Sequence, residues 1–154
     1  MTDRPVPAAL RRQWGAVGVA AALGLLAGVL LVRTAVGGPA VRAVRWLLPA
    51  AAVSAFVLWF AHRYLGSNLP AADADPADSS GGRRLYRSLG PPNLVSLFRG
   101  FLFAALAGFG ALTPRPTIAW VPAVLYGTGC ALDAVDGFLA RRTDRRTDLG
   151  AKLD

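Results

Sequence analysis

Asp133 and Asp136 stand three residues apart at the end of a long apolar run, and Gly137 and Ala140 continue the same helical face. Residues three and four apart on a helix are neighbours, so the spacing predicts two carboxylates side by side next to a strip without bulk. Carboxylates that emerge from an apolar segment at a membrane boundary are costly and are seldom kept there without a function. Oxygen-only ligands of this kind suit a hard divalent cation such as Mg²⁺ or Mn²⁺ and not zinc.

A lone D-x2-D-G would be common, but the pattern here is longer. It runs from Asp133 and Asp136-Gly137 through Ala140-Arg141 and Gly150 to Asp154. It resembles the signature of the CDP-alcohol phosphatidyltransferase family, D-x2-D-G-x2-A-R-x8-G-x3-D-x3-D, at every fixed position through the third aspartate. The fourth aspartate of the signature would fall four residues past Asp154, where the given sequence stops. Upstream, Asn93, Ser96 and Arg99 follow at i, i+3 and i+6 and share one face at the start of another apolar run. Family members often carry a similar Asn-x2-Thr/Ser-x2-Arg stripe. By itself the stripe also admits a helix cap at Asn93 after Pro91-Pro92 and an Arg99 that snorkels to the interface.

The resemblance implies replacement of CMP on a CDP-linked lipid or alcohol by an incoming hydroxyl, within phospholipid biosynthesis. It assigns the metal ligands to Asp133, Asp136 and Asp154, with Mg²⁺ or Mn²⁺ bridging phosphate oxygens. It assigns Asn93, Ser96, Arg99 and Arg141 to substrate, Arg141 as a planar donor to phosphate. Gly137, Ala140 and Gly150 are implied as positions where substrate approaches the backbone closely. The general base of the family is the fourth aspartate, so no residue here takes that role; Asp144 and Asp148 read as solvated loop charges. The implied partners are a CDP-linked donor, an alcohol acceptor, membrane lipids and, in a homodimer, a second copy of the chain. On this reading the expectation is an incomplete catalytic bundle, from a truncated or split enzyme, inactive alone. The rival is a non-catalytic membrane scaffold or a lipid-binding remnant. Relatives with the signature handle glycerol phosphate, inositol phosphate, serine or a second lipid, and the residues here do not choose among these acceptors.

The elements that must hold these residues follow from composition. The 154 residues are 54% hydrophobic and 17% charged, with no Glu and one Lys. The formal charge of +8 comes from arginines placed between apolar runs, as on the cytoplasmic face of a membrane protein, and no basic face with interleaved aromatics suggests nucleic acid. The fold class expected is all-α and polytopic, with about four transmembrane helices.

Four stretches approach the ~20 apolar residues a spanning helix needs: Trp14–Val32, Trp46–Ala61 with extensions, Leu94–Leu112 interrupted by Arg99, and Thr117–Ala140. The first exceeds the ~7–15-residue core of a signal peptide and runs into Arg33, so it reads as a retained helix. Gly24-x3-Gly28 has the spacing of close helix packing, although glycine is common in membrane helices and the plain reading carries more weight. Cys130 lies in an apolar run with no partner cysteine and says nothing about redox compartment. With the N-terminus inside, 12 basic residues fall in inside segments and 4 (Arg33, Arg42, Arg45 and Arg115) in outside loops, which puts both termini and the aspartates on the cytoplasmic face of the cell membrane. The organisation expected is a two-helix membrane hairpin over 1–68, a flexible Pro/Ser/Gly/Asp-rich linker over 69–82, and the N-terminal part of the catalytic domain over 83–154.

Overall fold

A computed structural model describes residues 6–69, 86–142 and 147–153. Among the described residues the architecture is all-α, and four helices are long and apolar enough to cross a membrane. Helix α1 runs Ala8–Leu31 and passes through a π turn, Val32–Val36, into α2, Ala40–Arg63. A 3₁₀ turn at Leu65–Ser67 closes α2; α3 spans Gly90–Gly110, a second 3₁₀ turn covers Pro116–Ile118, α4 spans Trp120–Arg142, and a short α5 covers Gly150–Leu153.

Each helix extends beyond its apolar run at one end, and α2 at both. Helix α1 takes in Arg11 and Arg12, and α2 begins six residues before Trp46, taking in Arg42 and Arg45. Charged side chains leave the backbone hydrogen bonds intact, so the helical ladder continues past the edge of the apolar segment. Helix α3 starts with Gly90 at φ 78°, a left-handed conformation that glycine adopts freely, followed by Pro91 and Pro92 in the first turn, where a missing N–H removes no ladder bond. The chain reverses between α1 and α2 through Gly37 and Gly38 at φ 64° and 83°.

Helix α3 is the centre of the bundle. It packs most extensively on α4 and α2, while α1 packs mainly on α2. Large side chains such as Leu23, Leu26, Phe56, Trp59 and Phe98 stay exposed on the outer faces, as a lipid-facing surface requires. Lipid is as apolar as leucine, so the helices are held by close packing rather than by withdrawal from water. Trp46 of α2 shows how close: it is 1% exposed, and its ring fills a slot between Gly28 of α1 and Gly108 of α3. A Cβ on Gly108 would lie 2.7 Å from the Trp46 indole nitrogen, and one on Gly28 would overlap the ring. Gly24 faces open space, so of the Gly24-x3-Gly28 pair only Gly28 makes a close approach.

The core divides between the two ends of the bundle. One cluster joins Leu10, Ala61, Leu65, Leu89, Leu97 and Leu149 at the end where α3 begins. The other joins Val32, Val36, Ala43, Trp46, Ala50 and Ile118 at the end where α3 finishes. The first cluster draws on α1, α2, α3 and the segment before α5, so the N-terminal hairpin and the C-terminal helices share packed surface.

Candidate functional site

The first three turns of α3 hold Asn93, Ser96 and Arg99 on one buried face, at 2%, 7% and 8% exposure. Ser96 donates its hydroxyl to the Pro92 carbonyl at 3.2 Å, a carbonyl on its own helix four residues back. Arg99, inside an apolar segment, is expensive unless paired. It turns inward and its guanidinium meets the Asp133 carboxylate of α4 in an ion pair. Of the two readings available for Arg99, the structure therefore gives the inward one. The Asp133 side chain remains 67% exposed, so its carboxylate is open on the side away from Arg99.

Asp136, Gly137, Ala140 and Arg141 continue α4, one to two turns beyond Asp133. Asp136 is at the i+3 position that the helix places beside Asp133. The side chains of Asp136, Gly137, Ala140 and Arg141 lie outside the described residues, as do Asp144 and Asp154. Among the described residues no group of three potential metal ligands occurs. What is described fits a hard cation in kind: an accessible carboxylate oxygen donor on α4.

Asn93 and Gly150 come together, but in a different arrangement from the aspartates. The Asn93 amide donates to the Leu89 carbonyl at 2.7 Å, to the Asn68 side-chain oxygen at 3.2 Å and toward Thr147 Oγ1 at 3.2 Å. The Thr147 hydroxyl is also placed to donate to Asn93 Oδ1 at 3.2 Å and accepts the Gly150 N–H at 2.9 Å, which caps α5. A Cβ on Gly150 would lie 2.9 Å from Asn93 Oδ1, so this glycine clears room for the asparagine. Asn93 is a buried bridge within α3 and not its N-cap; Leu89 holds that position.

Sequence reasoning missed Asn68 and Thr147. Asn68 is fully buried and donates to the backbone carbonyls of Ser88 at 2.9 Å and Tyr86 at 3.4 Å, tying the end of the hairpin to the entry of α3. Gln13 of α1 adds a bond from the Leu89 N–H at 2.9 Å. Asp148, read as a solvated charge, is half-buried, and its backbone N–H donates to the Leu69 carbonyl at 3.1 Å. The available signal was weak: Thr147 three residues before Gly150 is the spacing of a threonine N-cap.

Residues 90–154, somewhat less than half of the chain, match the family model of CDP-alcohol phosphatidyltransferases. The matched segment contains the Asn93-Ser96-Arg99 face, Asp133 and Asp136, and ends at Asp154. No curated protein and no solved structure matches the chain. The segment match supports phosphatidyl transfer in phospholipid synthesis, from a CDP-alcohol donor to an alcohol acceptor, in a family that is generally dependent on divalent metal. With four spanning helices, the chain is an integral membrane protein.

Proposed function

We propose that the α3–α4 face around Arg99 and Asp133 binds the pyrophosphate of a CDP-linked lipid or alcohol and transfers the phospho-alcohol group to an acceptor hydroxyl, releasing CMP. The observation that carries this reading is the Arg99–Asp133 pairing. It brings the two halves of the sequence pattern, which lie on different helices, to one place in the half of the bundle where α3 starts.

In this reading the acceptor oxygen bonds to the phosphorus that carries the alcohol. The bond from that phosphorus to the bridging oxygen breaks, CMP leaves with that oxygen and its electron pair, and the proton of the acceptor hydroxyl passes to solvent. Mg²⁺ or Mn²⁺, held by Asp133, Asp136 and Asp154, would neutralise the pyrophosphate and stabilise the leaving oxygen. Arg99 is fixed on the buried face of α3 and offers a guanidinium fork to a phosphate oxygen lying between α3 and α4. Arg141, two turns past Asp133 on α4, offers a second. Gly137 and Ala140 keep α4 narrow where the nucleotide lies against it. Asn93 and Gly150 act one layer behind, setting the position of α3 relative to α5, while the Ser96 hydroxyl donates to the Pro92 carbonyl of α3 itself. The basic asymmetry of the sequence orients this face, and both termini, toward the cytoplasm.

Titration calorimetry of Mn²⁺ into the detergent-solubilised chain tests the reading. Binding should be weak alone and tighten when CDP-diacylglycerol is added, because sites with few protein carboxylates are completed by substrate phosphates. Asp136→Asn should weaken it in both cases. Affinity unchanged by that substitution, or by the donor, would remove the site assignment.

A further inference from the structure

Arg42, Arg45 and Arg115, three of the four arginines outside the basic-rich end, converge on one pocket at the end of the bundle opposite Arg99 and Asp133. The cavity has a volume of about 340 Å³ and is completed by Thr113 and the apolar side chains of Val36 and Leu112. This lies within the size range of ligand pockets, about 300–1,000 Å³. Arg42 and Arg45 come from the first turns of α2, and Arg115 from the segment leading into the 3₁₀ turn before α4. That turn contacts the π turn after α1, which brings the two connections together.

The Arg42 side chain is held by the turn backbone, and the chain at Arg115 is stiffened by its neighbours. Arg42 donates from Nη1 to the Gly37 carbonyl at 3.2 Å, and its guanidinium lies across Gly38, where a Cβ would stand 2.5 Å from the same nitrogen. Arg115 sits between Pro114 and Pro116, each with a fixed φ. Neither connection offers a compensating charge: residues 32–46 and 111–120 contain no Asp or Glu. Three guanidinium groups gathered at a membrane boundary without a carboxylate attract an anion from outside the chain, and a guanidinium fork matches phosphate in shape.

We propose that this pocket is a binding site for a phosphate-bearing anion, the phosphodiester of an anionic lipid headgroup or a free phosphate. It is separate from the transfer site and lies at the opposite membrane boundary. The apolar lining of Val36 and Leu112 lets one wall of the pocket continue into the acyl region, while the arginines stand at headgroup depth.

Arginine footprinting with phenylglyoxal, read residue by residue by mass spectrometry on the unaltered protein, tests this. In phosphatidylcholine vesicles containing phosphatidylglycerol, modification of Arg42, Arg45 and Arg115 should slow several-fold relative to phosphatidylcholine alone. Arg33, exposed at the same end but outside the pocket, should not change. Protection by phosphatidylglycerol alone assigns the headgroup; equal protection by inorganic phosphate in phosphatidylcholine vesicles assigns a free phosphate. A triple Arg42→Gln, Arg45→Gln, Arg115→Gln variant should lose phosphatidylglycerol retained in native mass spectrometry, and Arg33→Gln should keep it. Slowing that includes Arg33 to the same extent, or no slowing at all, would show solvated surface charges only and overturn the proposal. The footprint decides the matter even where the triple variant fails to fold.

Discussion

Asn93 and Thr147, 54 positions apart, are linked through the two ends of one amide: Asn93 Oδ1 can accept from the threonine hydroxyl and Nδ2 can donate to it, both at 3.2 Å. Asn68 joins the same node from the end of the hairpin. A residue that the family resemblance assigns to substrate is thus the buried fastener between the entry of α3, the end of α2 and the start of α5.

Removing that fastener should lower stability. Asn93→Ala strands the Asn68 side-chain oxygen and the Thr147 hydroxyl in a buried place, at a cost of about 1–3 kcal/mol. Ser96→Ala removes the hydroxyl that donates to the Pro92 carbonyl and should also lower stability. Thermal unfolding in detergent reads both, and an Asn93→Ala protein as stable as the parent would show that the node carries no weight.

Arg99→Gln should weaken binding of CDP-diacylglycerol about tenfold or more, because a hydrogen bond to a charged group is worth about 1.5–3 kcal/mol. Calorimetry at fixed Mn²⁺ measures it. If Arg99 were only a strut for Asp133, Arg99→Lys would restore full affinity; a fork donor predicts that it does not.

Gly28→Ala should destabilise by about 1–3 kcal/mol, the usual cost of forcing extra volume into a packed site. The added methyl collides with the Trp46 ring, whereas Gly24→Ala meets nothing within 4 Å and should be neutral. Equal melting temperatures for the two variants would contradict the three-helix slot.

Orientation is tested in a Cys130→Ala background. A cysteine placed at Thr34 should react with a membrane-impermeant maleimide added to intact cells, and one placed at Ser79 should react only after permeabilisation. The reverse pattern would invert the topology and put the aspartates outside.

Much of the bundle was legible because apolar length is a strong signal: each expected segment contains the body of an observed helix, and only the ends moved. Arg99 was legible as an inward residue only in combination with Asp133, since a lone arginine near a helix end snorkels as readily as it pairs. The Asn68–Asn93–Thr147 node was not legible. Its members lie in three separated segments, each with a local explanation of its own, and only tertiary packing brings them together. The Trp46 slot was hidden for the same reason, because Gly108 carries no mark that distinguishes it from Gly110. The pocket arginines were visible one by one, as exceptions in a charge count, but their convergence depends on how two short connections meet.

The leucine cluster at the Arg99 end sets an order of events during synthesis. Leu10 is among the first described residues to leave the ribosome and Leu149 among the last, yet both are fully buried in the same cluster with Leu65, Leu89 and Leu97. A nascent chain that has inserted only α1 and α2 holds this end open and must wait, through translation of α3 and α4, for Leu149. Contacts so distant in sequence close late and leave unfinished surface exposed meanwhile. The end of the bundle that carries Asp133 is therefore a part of the nascent protein that needs protection by chaperones or by lipid until Leu149 is in place.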